Sequence, residues 1–180
     1  VEDAVKEHMG ATEHHNRWQI AIKEEGECAE TVIRDIGWQT GRTGVITPVL
    51  KVEPKEVDGA VISNITAHHA GMVKSKRLGK GAKITMIRSG FVIPKLKEVL
   101  QGATPTIPTE CPRCDTGVEW NNDFILCPNT DCPARIETKL QYFFKKIENA
   151  KGFGERTIST IVDHGSTTIL EIFALKSADF

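Results

Sequence analysis

The sequence predicts an α+β chain of several modules, in which a small closed β-barrel is followed by a four-cysteine metal-binding module and a helical region. Three observations support this prediction. Short apolar runs separated by glycine and proline fill residues 31–100, and two close pairs of cysteines follow at 111–132. From residue 136 onward, apolar residues recur every three or four positions. A period of two indicates strands and a period near 3.6 indicates helices.

Composition and charge limit the possible functions. The 180 residues carry a net charge of −1, and this length suits one domain or a few small ones. No apolar run reaches the roughly 18 residues that a membrane span needs, and no secretory signal is recognisable at the N-terminus. We therefore expect a soluble, cytoplasmic protein without a membrane partner.

Basic residues are concentrated in one part of the chain. Residues 74–97 contain eight lysines and arginines and no acidic residue, whereas residues 1–35 contain nine acidic and four basic ones. Such a stretch can bind a polyanion despite the near-neutral total charge, which favours nucleic acid as a partner. The alternative is a lysine-rich edge strand that faces solvent.

The elements of the first 100 residues follow from spacing and turn residues. Residues 1–10 have the apolar spacing of a short helix that ends near Gly10. Alternating or short apolar runs predict strands at 18–23, 31–39, 45–47, 60–63, 84–88 and 91–93. About five of these strands fall within about 70 residues, so they predict a small closed barrel. The OB-fold is one such barrel and commonly binds oligonucleotides. Residues 68–76 are expected to form its short helix.

Four cysteines form the motif Cys111-x2-Cys114-x12-Cys127-x4-Cys132 in a segment rich in turn-forming residues. Two close pairs of thiolates at this spacing are typical of a structural, tetrahedral Zn²⁺ site. A short apolar run just before the second pair is expected to form the strand that returns it to the first. Two disulfides are the alternative, but they suit a small secreted domain. The fifth cysteine, Cys28, is expected to be a buried or free thiol.

The last part of the sequence has a helical pattern. Residues 101–108 form a linker rich in glycine, proline and threonine, which marks a module boundary. Apolar residues recur at helical spacing at 136–147 and again at 158–162. Between them, Gly-Phe-Gly at 152–154 resembles the turn of a helix-hairpin-helix, in which glycines let backbone N–H groups approach a phosphate. An ordinary turn between two helices is the alternative.

Several longer motifs occur in the order of a known family. They are Arg-Trp-Gln-Ile-Ala-Ile-Lys at 17–23, Gly-Arg-Thr-Gly-Val-Ile-Thr-Pro-Val at 41–49, and two further segments at 61–69 and 87–94. The first is similar to the last nucleotidyltransferase motif of NAD-dependent, bacterial-type DNA ligases, and the second is similar to their OB-fold signature. The cysteine module and the Gly-Phe-Gly turn follow in the same order. The sequence therefore resembles the C-terminal half of that family over nearly its whole length.

The resemblance implies a division of the chain and a reaction. The four expected parts are the end of an adenylation domain at 1–30, an OB-fold at 31–100, a four-cysteine zinc finger with its linker at 101–135, and a helix-hairpin-helix-like region at 136–180. Such ligases transfer AMP from NAD⁺ to a lysine and then to the 5′-phosphate of a nick in double-stranded DNA. The 3′-hydroxyl then displaces the AMP. The complete enzyme uses NAD⁺ and Mg²⁺, and every step needs positive charge near phosphate.

The resemblance also implies roles for individual residues. Lys23 corresponds to the motif lysine that contacts the AMP phosphate, although Glu24 and Glu25 replace the family's Phe-Pro after it and would weaken its attraction for phosphate. The expected DNA-contacting positions are Arg42, Thr43, Arg88, Val92, Ile93, Gly152 and Gly154. Arginine suits the forked geometry of phosphate, and the two aliphatic residues correspond to positions that press into the minor groove.

One motif of the family is not found in the sequence. The nucleophilic lysine belongs to Lys-x-Asp-Gly, and the closest string, at 55–59, is one residue too long and lies inside the OB-fold match. We therefore expect that this polypeptide does not adenylate itself. It would be a fragment, or one subunit of a split ligase whose nucleotide pocket a second chain completes. The alternative is a non-catalytic DNA-binding accessory protein built from the same OB-fold and zinc modules.

Overall fold

The structure is a computed structural model that describes residues 3–12, 15–19, 26–89, 93–148 and 150–175. Helix α1 (Asp3–Met9) confirms the helix expected over the first ten residues. The chain then turns back, and the backbone N–H of Arg17 closes this turn by donating to the carbonyl of Gly10 at 3.0 Å. This turn includes Trp18, so the strand predicted at 18–23 does not begin there. The rest of that predicted strand lies outside the described residues.

Five strands form a closed barrel, as the sequence predicts. They are β1 (Cys28–Thr40), β2 (Val45–Val57), β3 (Ala60–Thr66), β4 (Lys83–Ser89) and β5 (Ile93–Gln101). Around the barrel, β1 pairs with β4, β4 with β5, β5 with β3 and β3 with β2, and the pairing of β1 with β2 closes the ring. All of these pairs are antiparallel except that of β3 with β5.

The barrel interior is filled by aliphatic side chains, which alternate with more exposed ones over parts of the strands. Ile33, Leu50, Ile65 and Ile84 are fully buried in it. Helix α2 (Ala70–Ser75) lies between β3 and β4, and its first backbone groups are capped by the ring of His69, which accepts from the N–H of Met72 at 3.1 Å. The helix expected over 68–76 is therefore confirmed, and the five-stranded barrel confirms the OB-fold.

Strand β5 is longer than the sequence indicates. The apolar run predicts a strand only at 91–93, whereas β5 continues to Gln101 and pairs with β4 along most of its length. The pairing contains register shifts that interrupt the simple alternation of apolar and polar residues, which hides the strand from a period-two pattern. Residues 91 and 92 lie outside the described part of the chain.

The cysteine module adds a hairpin to the barrel. Strands β6 (Glu119–Asn121) and β7 (Phe124–Leu126) pair with each other, and β7 also pairs with the start of β2. The turn between them rests on α2, where the N–H of Gly71 donates to the carbonyl of Asp123 at 2.8 Å. The barrel and the cysteine module are therefore joined by both strand pairing and helix contact.

Three helices complete the described chain: α3 (Pro133–Lys146), α4 (Glu155–Asp163) and α5 (Ile169–Ala174). They enclose a separate apolar core in which the ring of Phe144 stacks on that of Phe153, with 3.9 Å between centroids. Helix α5 is not indicated by the apolar spacing, and it begins with a capping box between Thr168 and Glu171. No helix within the described residues is both long and apolar enough to cross a membrane.

Candidate zinc centre and the adjoining barrel loop

The four cysteines of the predicted motif meet at one point. Their sulfur atoms all lie within 4.8 Å of one another, with 3.9 Å between Cys111 and Cys132 and 3.6 Å between Cys114 and Cys127. Four sulfurs at about 2.3 Å from a tetrahedral Zn²⁺ are separated by about 3.8 Å. A disulfide requires about 2.0 Å. The cluster therefore fits zinc, and it does not have the geometry of two disulfides.

Short backbone turns aim the sulfurs inward. In the first turn, the N–H of Asp115 donates to the carbonyl of Cys111 at 3.0 Å, and Asp115 itself adopts a positive φ of 56°. In the second, the side chain of Asn129 accepts from the N–H of Asp131 at 2.9 Å. Cys132 then directly precedes α3, so the helix axis starts at the cluster.

Burial and hydrogen bonding shift the pKa values of these thiols in opposite directions. Burial raises the pKa of Cys127 to about 12 and also raises the pKa of Cys132. At Cys114 burial acts in the same direction, but hydrogen bonds with Thr116, Cys127 and Cys132 together outweigh it, and the pKa falls to about 6. Thiolates packed this closely repel one another. A divalent cation would allow all four to be deprotonated together.

The loop between β1 and β2 is attached to this cluster at both ends. Before the loop, the hydroxyl of Thr40 lies 3.3 Å from the sulfur of Cys111. After it, the carbonyl of Gly44 accepts from the N–H of Cys127 at 2.8 Å. Gly44 has a positive φ of 88°, and a Cβ at this position would lie 2.7 Å from the carbonyl oxygen of Cys127. Contacts with the four-cysteine cluster therefore hold residues 41–44 in position.

Arg42 and Thr43, two of the expected DNA-contacting residues, lie exposed on this loop. The guanidinium carbon of Arg42 lies over the ring of Tyr142 in α3, 4.5 Å from its centroid. No carboxylate within the described ranges pairs with Arg42. Among the described residues, its N–H donors are therefore not used by an ion pair.

Arg88 lies far from this loop. It is next to the start of β1, since Cys28 of β1 pairs with Ile87 of β4, whereas Arg42 follows the end of β1. The 13 residues of β1 correspond to a contour of about 40 Å. Arg88 is half-buried and donates to the carbonyl of Asp58 at 2.7 Å, so it also supports the turn between β2 and β3.

The other predicted site residues are placed only in part. Lys23 and Val92 lie outside the described residues, and Ile93 opens β5 without a described side chain. Gly152 and Gly154 are exposed between α3 and α4, and no atom lies within 4 Å of a Cβ built on either. Their backbone is therefore open to a neighbour, although their expected role in binding phosphate stays a prediction.

The basic residues of 74–97 are divided among several elements. Some lie on α2 and the turn after it, and others lie on β4 and β5. Lys74 lies over the ring of Trp120 in the cysteine module, with Nζ 5.6 Å from its centroid. The stretch is therefore not a single edge strand.

The sequence does not indicate a cluster of charges that joins the cysteine module to the helices. Nη2 of Arg113 lies 2.7 Å from Glu137 on α3 and 3.1 Å from Asp163 on α4. The pKa of Arg113 is raised, first by the hydrogen bond with Glu137. Arg113 lies inside the first cysteine pair, but Glu137 and Asp163 are distant in sequence and belong to no motif, so no signal in the sequence marks the cluster. The same holds for Thr40 and Tyr142.

Comparison with known proteins shows what this architecture is similar to. Residues 30–106 match the model of the NAD-dependent DNA ligase OB-fold domain. Over 177 residues, or 98% of its length, the chain is 50% identical to the DNA ligase of Desulfatibacillum aliphaticivorans. Over 179 residues, or 99% of its length, it is 46% identical to the DNA ligase of Psychromonas ingrahamii.

The chain matches the OB-fold domain of NAD-dependent DNA ligases and is similar to DNA ligases over nearly its whole length. This confirms the resemblance found in the sequence, which rests on the ordered motifs and not on the cysteines alone. The chain spans 28% of the length of each of these two ligases. What the complete ligases do is therefore carried over to this chain only as a proposal.

Proposed function

We propose that this chain supplies the DNA-gripping part of an NAD-dependent DNA ligase that seals nicks in duplex DNA. The observation that carries the proposal is the position of the family's OB-fold signature. Residues 41–44 form a loop held at both ends by the cysteine cluster, and they expose Arg42 and Thr43 without an internal ion pair among the described residues. A loop fixed in this way meets a phosphate backbone with little further loss of conformational freedom.

The cysteines would bind a structural Zn²⁺. All four positions are sulfur, which is typical of a closed structural site and leaves no coordination position for a reacting water. The ion would stabilise the turns at 111–114 and 127–132, and through Thr40 and Gly44 it would also position the barrel loop. Its proposed role is therefore to orient DNA-binding residues, and the chemistry of sealing does not pass through it.

The remaining proposed roles follow the family motifs. Arg88 would contact DNA backbone near the nick at the opposite end of β1, and Val92 and Ile93 would press into the minor groove. The backbone at Gly152 and Gly154 would approach a phosphate, as in a helix-hairpin-helix. These contacts would come from the OB-fold at 31–100 and the helical region at 136–180. The chain would therefore surround the duplex with several separate contacts.

The adenylation step would need residues that this sequence does not contain. Lys23 would contact the AMP phosphate, while NAD⁺ and Mg²⁺ would bind mainly to a second chain that carries the nucleophilic lysine. The string at 55–59 is unsuited to that role because its Asp58 and Gly59 form the turn between β2 and β3 of the barrel. Incubation with NAD⁺ and Mg²⁺ is expected to leave the purified chain without covalent AMP, as measured by its intact mass. A mass increase matching one AMP would contradict this.

DNA binding tests the proposal directly. Fluorescence anisotropy with a nicked, 5′-phosphorylated duplex should show binding that weakens steeply with salt, since phosphate contacts release counterions. Arg42→Ala should weaken binding by about 1–3 kcal/mol, the range for losing a charge-assisted contact. The matched control is Arg34→Ala, because Arg34 is exposed on β1 and makes only a long surface ion pair of 3.8 Å with Glu53. Salt-insensitive binding, or equal effects of the two variants, would contradict the proposal.

A second function is favoured by one feature of the sequence. Glu24 and Glu25 follow Lys23 and would oppose its attraction for the AMP phosphate. This would suit a DNA-binding accessory protein that takes no part in catalysis. Both functions predict DNA binding, so only a sealing assay with a complementing chain separates them.

A further inference from the structure

Tyr142 is an exposed aromatic residue at the point where the barrel loop meets α3. It lies near the end of α3, and 49% of its surface is exposed, although the aromatic neighbour Phe144 is buried. Its ring is where the barrel loop meets the helix. The guanidinium carbon of Arg42 lies 4.5 Å from the ring centroid, and Nζ of Lys146 lies 5.6 Å from it.

The geometry leaves Arg42 able to bind an anion. A cation over an aromatic face is attracted by the electrons of the ring, and this attraction does not use the N–H groups of the guanidinium. Those groups stay available for the oxygens of a phosphate. Arg42 has no ion pair within the described residues, so the ring is the feature that restrains its side chain.

We propose that Tyr142 is a positioning residue for DNA backbone binding. Its ring would hold Arg42 and Lys146 together, so that the barrel loop and α3 present one cationic surface to neighbouring phosphates. This inference rests on the proposed function, because it assumes that Arg42 contacts DNA. It goes beyond that function by assigning a role to α3 and to an aromatic residue outside the family motifs.

Restraint before binding explains why the ring would matter. A free arginine side chain loses rotamer freedom when it binds, and this loss lowers affinity. Stacking on Tyr142 would reduce the loss, and the adjacent charge of Lys146 would add a second phosphate contact. The effect depends on the aromatic face and not on the hydroxyl.

A double-mutant cycle on nicked duplex tests the proposal. The variants are Tyr142→Leu, Arg42→Ala and the two combined, with affinity measured by fluorescence anisotropy. Tyr142→Leu should weaken binding by about two- to fivefold, as expected for an exposed cation–aromatic contact. Its effect should be smaller in the Arg42→Ala background, where only Lys146 is left for the ring to position. Tyr142→Phe keeps the ring and should bind like the wild type.

The matched control is Phe173→Leu, which changes another exposed aromatic on a helix. No cation lies over its ring within the described residues. It should not alter affinity. Equal affinity of Tyr142→Leu and wild type would overturn the inference, and so would tighter binding, which would show that the ring sequesters Arg42. An equal loss in the Arg42→Ala background would also overturn it.

A measurement without DNA tests the contact between Arg42 and Tyr142 directly. It does not depend on DNA affinity, and its wild-type result does not depend on whether a variant folds. NMR should show a ring-current shift of the Arg42 side-chain protons that Tyr142→Phe retains and Tyr142→Leu abolishes. Absence of that shift in the wild type would overturn the inference. If Arg42→Ala weakens binding but Tyr142→Leu does not, only this inference fails. If the wild-type chain does not bind nicked DNA, the proposed function fails with it.

Discussion

The hydroxyl of Thr40 lies 3.3 Å from the sulfur of Cys111, which connects the last residue of β1 to a cysteine 71 positions further along the chain. Both atoms are buried. Together with the hydrogen bond between Gly44 and Cys127, this contact makes the four-cysteine cluster part of the barrel loop that carries Arg42. A substitution at the cluster should therefore alter DNA binding by the loop, and a substitution at the loop should alter metal binding by the cluster.

Thr40→Val should weaken zinc binding by about tenfold, since residues that hydrogen-bond a metal ligand typically have effects of about 10- to 100-fold. Valine has nearly the shape of threonine but cannot donate to the sulfur of Cys111. The affinity is measured by competition with a chromophoric chelator. Thr40→Ser, which keeps the hydroxyl, should retain most of the affinity. Equal affinities of the valine and serine variants would show that the hydroxyl does not support the ligand.

Cys127→Ser should reduce the zinc content and lower the melting temperature, because the remaining sulfurs cannot complete a tetrahedral site. It should also weaken binding of nicked DNA, since the turn whose Cys127 N–H bonds to Gly44 would lose the ion that orders it. Zinc is measured by elemental analysis. Cys28→Ser is the matched control, because Cys28 is exposed and lies outside the cluster. A Cys127→Ser protein with full zinc content and unchanged stability would refute the assignment.

Gly44→Ala should destabilise the fold more than Gly81→Ala. The two glycines have nearly equal positive φ values, 88° and 89°, so alanine has a similar backbone penalty at both, about 1–2 kcal/mol. A Cβ at Gly81 meets no atom within 4 Å, whereas a Cβ at Gly44 would lie 2.7 Å from the carbonyl of Cys127. Chemical denaturation compares the two variants. Equal losses would mean that the loop moves freely away from the cluster.

Removing the charge of Arg113 should weaken the contact between the cysteine module and helices α3 and α4. Arg113→Gln leaves Glu137, which is only 15% exposed, without its cation, so we expect a loss of about 1–2 kcal/mol in unfolding free energy. Lys51→Gln is the control, because its pair with Asp35 spans 3.4 Å between two exposed side chains and should contribute almost nothing. If both substitutions have the same effect on stability, the Arg113 cluster is an ordinary surface ion pair.

Local patterns explain which parts of the fold the sequence predicts. The apolar runs mark where the barrel strands lie, although Pro48 and Pro54 fall inside β2, which continues from the predicted 45–47 to Val57. The cysteine spacing is typical of a tetrahedral metal site. Helix α5 has only six residues, too few for a helical period to be recognised. Helix α2 is equally short, and it is expected because a short helix fits between the barrel strands. Strand β6 has only three residues, all of them exposed, so it has no apolar pattern.

Contacts between distant residues explain the rest. The pairing of β7 with β2, the contact of Thr40 with Cys111 and the stacking of Arg42 on Tyr142 all join segments that no local pattern relates. The positions of Arg42 and Arg88 at opposite ends of β1 depend on strand register, which the sequence does not reveal by itself. The family motifs identify individual residues, but only the fold shows how those residues are held.

Nick sealing tests the central claim most directly. The chain is mixed with the part of the Desulfatibacillum aliphaticivorans ligase that it does not match, together with NAD⁺, Mg²⁺ and an end-labelled nicked duplex. The labelled strand is then resolved on a denaturing gel. We predict that the joined strand forms only when both polypeptides are present, and that Arg42→Ala reduces its yield. Tight binding of the nicked duplex without any joined strand would contradict the ligase proposal and leave a DNA-binding accessory role.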